Sequence, residues 1–269
     1  GGKGANQAVA AAKCGADAHM VARVGDDLFG PATIDNFRTL GIGTEHVAAV
    51  TGASSGVAPI FVEPSGENRI LVVKGANDEV TPAVVDAATP LIETADVVIL
   101  QFEIPLTTVL HTVRLAAELG TRCILNPAPA AEVDLDAIAS VDYFVPNESE
   151  AATLTGLPVT TVDEARACAE HLLQRGFRRV ILTLGERGAL LASAKGSELV
   201  PAYPVQPVDT SGAGDAFIGS FATFLAEGAS ERDAVAHANL YAGLSTQGIG
   251  TQTSLVSREH FEREWQRLQ

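Results

Sequence analysis

The sequence predicts a three-layer α/β/α fold on a mostly parallel sheet, with a small β-hairpin lid set into it. Three observations carry that prediction. From residue 81 to residue 193, short apolar runs alternate with helix-length runs, the rhythm of a parallel sheet covered by helices. Residues 56–63 and 69–74 are β-rich and flank the turn formers Pro64, Ser65, Gly66, Glu67 and Asn68, so they form a hairpin outside that rhythm. The last third is helical and begins with a glycine turn at residues 212–214.

The elements follow in order. Residues 4–13 are Ala-rich and stop at Gly15, which marks a helix behind a glycine loop. Residues 19–24 are a short apolar strand, followed by the turn Gly25, Asp26, Asp27. Residues 31–40 form a helix with Pro31 near its start and Gly41 past its end. After the hairpin come a helix at 84–94, a strand at 97–100, a helix at 106–119 and a strand at 123–125. A strand at 143–145 and helices at 148–154 and 165–175 continue the alternation, then strands at 180–184 and 189–193. Helices at 213–225, 231–244 and 258–268 complete the chain. No internal repeat interrupts it. The whole, residues 1–269, reads as a single α/β domain with a lid at 50–76.

Composition narrows the function classes. With 18 basic against 33 acidic residues and a net charge of -15, the chain lacks the basic face expected of a nucleic-acid binder. No apolar run reaches the roughly 18 residues that span a bilayer. Cys14, Cys123 and Cys168 are scattered and have no CxxC spacing, which reads as three reduced thiols in a cytoplasmic protein. The six histidines show no clustering of the kind that holds a metal.

In open parallel sheets, ligands sit beyond the carboxyl ends of the strands, so the chemistry is sought in the segments that follow them. The run from Val208 through Asp209, Thr210, Ser211, Gly212, Ala213, Gly214 and Asp215 to Phe217 stands out. Its small residues permit a tight turn, and the helix that follows offers unpaired N–H groups and a positive dipole end to an anion. Asp215 lies in the same turn, where a carboxylate can take a proton from an attacking hydroxyl. A plain capping aspartate is the competing explanation of that residue. Asn147 with Glu150 three residues on is a capping-box spacing, which is compatible with a ligand role for the same pair. Glu103 also reads as an exposed strand-end carboxylate, and Lys3 as a solvated loop lysine. There is no G-x-x-x-x-G-K-[ST] run, and no G-x-G-x-x-G follows the first strand, so P-loop and dinucleotide readings fall away.

Asp209-Thr210-Ser211-Gly212-Ala213-Gly214-Asp215 resembles the C-terminal signature of the ribokinase (PfkB) family of carbohydrate kinases. The opening Gly1-Gly2-Lys3-Gly4-Ala5-Asn6-Gln7 resembles that family's N-terminal glycine motif, and the runs at 126–130, 146–150 and 183–185 resemble ribokinase segments in the same order. The resemblance implies ATP-dependent phosphorylation of D-ribose at its primary hydroxyl, with Mg²⁺ and a K⁺ activator. It implies Asp215 as base, with Gly212, Ala213 and Gly214 as the anion hole. Gly2, Lys3, Gly4, Ala5, Asn6 and Glu103 would hold the sugar. Thr183, Leu184, Gly185, Glu186, Arg187 and Gly188 would form the nucleotide loop, with Asn147, Gly214 and Asn239 also toward the nucleotide. Asn147 and Glu150 would hold Mg²⁺ through water. Asp209, Ser211, Ser245, Gly248, Gly250 and Ser254 would surround K⁺, although Ser245-Thr246-Gln247-Gly248 replaces the more usual Val-Thr-Arg run. Such lids pair across a homodimer in this family. Its first strand, with a sugar-gripping aspartate, precedes the glycine loop, and this chain, opening on Gly1, is expected to lack residues upstream. Adenosine, fructose and 2-keto-3-deoxygluconate remain alternative acceptors, and a non-catalytic sugar or nucleotide sensor is the reading from another class.

Overall fold

The computed structural model describes residues 2–62 and 68–268. Helix α1 (Lys3–Lys13) begins behind Gly2, whose φ of 104° puts it in the left-handed region. Strands β1 (His19–Gly25) and β2 (Gly43–Val50) flank α2 (Phe29–Thr39) and pair in parallel as a two-stranded sheet. Strands β3 (Ile60–Val62) and β4 (Asn68–Ile70) pair antiparallel, and a bridge between Val57 and Val73 extends the hairpin. Of the turn expected between them, residues 63–67 lie outside the described residues. A 3₁₀ turn (Gly75–Glu79) leads back to the body.

The helix expected at 84–94 is instead two short ones, α3 (Pro82–Asp86) and α4 (Thr89–Thr94). Pro90 is the cause, because it has no N–H and its ring clashes with a carbonyl four residues back. From there β5 (Val97–Leu100), α5 (Leu106–Leu119), β6 (Arg122–Leu125), α6 (Leu135–Ile138) and β7 (Tyr143–Phe144) follow. Then come α7 (Glu148–Thr155), α8 (Val162–Gln174), β8 (Arg179–Thr183), β9 (Ala189–Ser193) and β10 (Gly196–Val200). Three helices finish the chain: α9 (Ala213–Ala226), α10 (Glu231–Ser245) and α11 (Arg258–Arg267).

The main sheet has the order β10-β9-β8-β7-β6-β5. β5 through β8 are parallel, while β8, β9 and β10 are successive antiparallel neighbours. Side chains alternate across this sheet as strand geometry requires. Ile124, Tyr143 and Ile181 pack with α1, α9 and α10 on one face. Cys123, Leu125, Phe144, Val180 and Leu182 pack with α5 and α8 on the other. That gives the three layers.

Helix α9 is the centre of the first of these faces, and every residue from Asp215 to Leu225 is buried. A helix apolar all round belongs in the interior. It crosses α1 at very close range through Gly219. A Cβ there would lie 2.4 Å from the Gln7 carbonyl oxygen and 2.7 Å from the Ala10 Cβ. Between β1 and β5, whose outer edges face each other, runs a cleft of about 570 Å³ with Gly2, Gly4 and Glu103 among its lining residues.

Candidate active site

The parallel strands end at a common level, with Leu100 paired to Leu125 and Leu125 to Phe144. The polar residues of the site follow these ends directly. Gln101 and Glu103 leave β5, Asn126 leaves β6, Asn147 leaves β7, and Leu184 leaves β8. Hydrogen bonds carry the register one step beyond the strands. The Asn126 N–H donates to the Leu100 carbonyl at 2.9 Å, and the Thr183 N–H to the Pro146 carbonyl at 3.1 Å.

Facing these ends is the start of α9. Gly212 caps it with a φ of 80°, a conformation that costs little only for glycine. A Cβ at Gly214 would meet nothing within 4 Å, so open space lies before the first turn. The Ala213 N–H donates to the Thr210 carbonyl at 3.2 Å, so of the anion hole expected at Gly212, Ala213 and Gly214 this donor is engaged within the turn. First-turn N–H groups have no acceptor one turn back in the helix, so the Gly214 N–H, and the Asp215 N–H beyond the expected set, are the first-turn donors without a backbone partner among the described residues.

The Asp215 side chain is almost wholly buried and is held at both oxygens. Asn6 Nδ2 donates to Oδ2 at 2.9 Å, and Gln7 Nε2 donates to Oδ1 at 2.9 Å. Burial pushes its carboxyl above the ordinary aspartate range, opposed by those two amides and by the Lys3 charge. Glu150, also buried, is likewise raised, first by loss of solvent and further by the charge of Asp215. Both carboxyls hold their protons to higher pH folded than unfolded. Each therefore subtracts stability as pH rises from the ordinary carboxylate range through its folded value.

Of the residues predicted to hold the sugar, Asn6 binds the Asp215 carboxylate, and Gly2, Lys3 and Glu103 meet one another. The Lys3 backbone N–H donates to Glu103 Oε2 at 2.7 Å, and a Cβ on Gly2 would sit 3.1 Å from that oxygen. Gly4 faces the amide of Gln101, and Ala5 is buried in the core beside them. Asn6 is fixed from behind by Gln252, whose Nε2 donates to its Oδ1 at 3.0 Å.

Of the residues expected to hold the nucleotide, 183–188 and Asn239 adjoin the end of β10. Residues 183–188 form a tight loop in which the Leu184 N–H donates to the Gly188 carbonyl at 2.8 Å. Gly188 is pressed onto the Val200 carbonyl, 2.1 Å from where its Cβ would be, and Asn239 Nδ2 donates to that same carbonyl at 2.9 Å. The loop and Asn239 therefore meet at residues 200–201. Within the loop Gly185 turns the chain beside Glu186, whereas Arg187 pairs with Glu148 and donates to the Thr160 carbonyl at 2.8 Å. Arg187 thus braces the loop against its own neighbours.

The donor sets expected for metals are modest. Asn147 and Glu150 form the complete capping box of α7, with the Glu150 N–H at 2.8 Å from Asn147 Oδ1 and the Asn147 N–H at 2.9 Å from Glu150 Oε2. One carboxylate with an amide oxygen fits Mg²⁺ that keeps its waters and is shared with phosphates, and does not make an all-protein cage. Among the described residues no three His, Cys, Asp or Glu side chains cluster as a metal site. In the segment expected around K⁺, Asp209 accepts from the Ser211 N–H at 2.9 Å and the Gly250 N–H at 3.0 Å. Those N–H groups lower its carboxyl, the one from Gly250 most. The Ser245 and Ser254 hydroxyls donate to the carbonyls of Ala242 and Gly250, and Gly248 packs against Ser254. Backbone carbonyls are the oxygens this segment has to offer a cation.

The model of the pfkB family of carbohydrate kinases matches residues 1–258. The chain belongs to that family. It is similar to the deoxyribokinase of Salmonella typhi, 45% identical over 262 residues that cover 97% of this chain and 86% of that protein. It is also similar to the ribokinase of Bacillus subtilis (strain 168), 41% identical over 262 residues with the same coverage. Among solved structures it resembles Arabidopsis thaliana ribokinase complexed with ribose and ATP, with a TM-score of 0.93 and 29% identity, covering 98% of this chain and 86% of that one. Ribokinase from Thermotoga maritima gives a TM-score of 0.89 and 34% identity, over 99% and 87% of the two chains. This family member is a carbohydrate kinase of the ribokinase type, a phosphotransferase, on the three-layer fold expected from its sequence. No helix among the described residues is long and apolar enough to cross a membrane.

Four residues of the site were not singled out from the sequence: Gln7, Gln101, Asn126 and Gln252. Gln7 and Asn126 stand inside runs that carried the family resemblance. The available signal for Gln7 was a long polar side chain in an Ala-rich helix that has to be buried, since buried amides are held by partners.

Proposed function

We propose that this kinase transfers the γ-phosphoryl of ATP to the primary hydroxyl of a pentose, D-ribose first. The observation that carries the reading is the placement of Asp215. Its carboxylate stands at the start of α9, beside Gly214, bonded to Asn6 and close enough to feel the Lys3 charge, while the Lys3 N–H holds Glu103. Lys3, Asn6 and Glu103 hold sugar hydroxyls. Asp215 takes the proton of the attacking hydroxyl, and the N–H groups of Gly214 and Asp215 stabilise charge on the phosphoryl in flight. Residues 183–188 and Asn239 receive the nucleotide. Mg²⁺, when held by Asn147 and Glu150 through water, neutralises phosphate charge, and K⁺ would lie among the carbonyls of residues 209–211 and 245–254. The hairpin β3–β4 closes over the sugar and excludes water.

A second acceptor is favoured by a specific observation. The deoxyribokinase relative is 45% identical and the Bacillus subtilis ribokinase 41%, over equal spans, so 2-deoxy-D-ribose stands beside ribose. A coupled ADP-release assay with Mg-ATP tests both pentoses against fructose, adenosine and 2-keto-3-deoxygluconate, with and without K⁺. Turnover on ribose or deoxyribose that rises with K⁺ is expected. Turnover confined to another acceptor overturns the pentose assignment, and no turnover in a folded protein that binds ATP favours a sensor. The pH profile adds a second reading. Because burial raises Asp215, kcat is expected to fall on the acid side at a pH above the ordinary aspartate value.

The lid also bears on assembly. Leu71, Val72 and Val73 are exposed in the chain leaving β4, with Val57 opposite. An isolated hairpin with apolar flanks is marginal alone. This kinase is expected to dimerise through its lid, and light scattering that gives only the monomer mass at micromolar concentration overturns that.

A further inference from the structure

Gln7 is buried, with 1% of its surface exposed, and sits where α1, α9 and the sheet meet. Its Nε2 donates to Asp215 Oδ1 at 2.9 Å and to Asn126 Oδ1 at 3.2 Å, and its Oε1 accepts from Gln101 Nε2 at 2.5 Å. Asn126 in turn donates through Nδ2 to the Val145 carbonyl at 2.9 Å. The amide orientations are fixed by chemistry. An ionised carboxylate and a carbonyl oxygen only accept, so Gln7 has to turn its NH₂ to Asp215, and Asn126 its NH₂ to Val145. That leaves Asn126 Oδ1 to accept from Gln7, and Gln7 Oε1 to accept from Gln101.

We propose that Gln7 is the positioning residue for the base, locking the plane of the Asp215 carboxylate to the carboxyl ends of β5 and β6 through Gln101 and Asn126. The inference rests on the reading of Asp215 as the base. Asn6 holds the other oxygen, but its opposite end is tied to Gln252 in the C-terminal segment. Among the described residues, Gln7 is the side chain that ties Asp215 to the sheet from which Glu103 also projects. The base and the sugar-side carboxylate then share one frame, and near-attack geometry requires such a shared frame.

The test compares wild type with Gln7→Leu and Gln7→Glu in the pentose assay across pH. Gln7→Leu keeps the bulk and removes the donor. It is expected to lower kcat roughly 10- to 100-fold, the range for losing a hydrogen bond to a charged group, with KM for the sugar within about threefold of wild type. Its acid limb is expected to move to higher pH, because the ionised carboxylate loses a donor. Gln7→Glu places a second carboxyl against Asp215 and is expected to move that limb further. The charged groups facing Asp215 are Lys3 on α1 and Glu150 on α7, and both are untouched by these changes. A raised KM with an unmoved kcat and pH profile overturns the proposal. So does a loss of activity that follows loss of folding by circular dichroism, if Gln7→Glu in its folded fraction keeps the wild-type profile. Should wild type itself turn over no sugar, the functional reading fails separately. Gln7 is then judged by ¹³C titration of the Asp215 carboxyl, identified by its absence in Asp215→Asn. An unchanged midpoint in Gln7→Leu counts against the clamp.

Discussion

Asp215→Ala is expected to reduce kcat by roughly 10²- to 10⁴-fold, the usual contribution of a positioned general base, while KM for sugar and ATP changes little. The loss is confined to kcat because the proton moves only as the new bond forms, so the interaction belongs to the transition state. At tenfold per 1.36 kcal/mol this corresponds to about 3–5 kcal/mol. The substitution also leaves Asn6 Nδ2 and Gln7 Nε2 without their carboxylate acceptor. Some loss of stability is therefore expected, and a thermal melt has to accompany the kinetics. Asp215→Asn is the closer isostere, but its NH₂ faces a donor on one side, so it is expected to be equally inactive. Near-normal kcat in either folded variant removes Asp215 from the role of base, and the start of α9 becomes a phosphate site without proton transfer.

Gly219→Ala is expected to be strongly destabilising although it adds a single methyl. Helix propensity alone predicts the reverse, since alanine in a helix interior is favoured over glycine by about 1 kcal/mol. Packing decides the sign. The added carbon would lie 2.4 Å from the Gln7 carbonyl oxygen and 2.9 Å from the Ala11 nitrogen, both backbone atoms that cannot swing aside. Helices α1 and α9 have to separate. Overpacking of this kind costs typically 1–3 kcal/mol or more. For a chain of this size each kcal/mol is worth roughly 2–4 °C in Tm. Gly219 is four residues beyond Asp215 on α9, and Gln7 is on the opposing helix. The same separation pulls both amides off the carboxylate, so kcat is expected to fall in step with stability. A Tm at or above wild type, with full activity, means the crossing is looser than described.

The parts of the fold that the sequence shows well are those where local chemistry and tertiary need agree. Gly212, Gly214 and Asp215 before an apolar run mark a helix start, and α9 begins there. Asn147 and Glu150 carry the capping-box spacing, and the box is complete. Where local pattern is diluted, elements were not seen. β2 contains Thr44, Glu45 and His46, and its mixed exposure leaves no clean alternation. β10 begins Gly196, Ser197, Glu198, all exposed, because it is an edge strand with only Val200 fully buried. The split at Pro90 was legible in principle, but the apolar residues on both sides of it read as one helix. The clamp on Asp215 was beyond local reading altogether. Gln7 and Asp215 are 208 residues apart, and nothing near either one names the other.

That separation has a consequence for how the protein comes into being. The buried Asp215 carboxylate is held by a contact between the second turn of α1 and a helix more than two hundred residues later, and Gln252 must reach Asn6 across 246 residues. Contacts of such span form late, after the loops between them have been closed. During synthesis the sheet from β5 to β8 can assemble while α9 is still unmade, and α1 then has no partner for its small-residue face. In a growing chain the Asp215 carboxylate therefore meets Gln7 only after α9 has been made, long after α1.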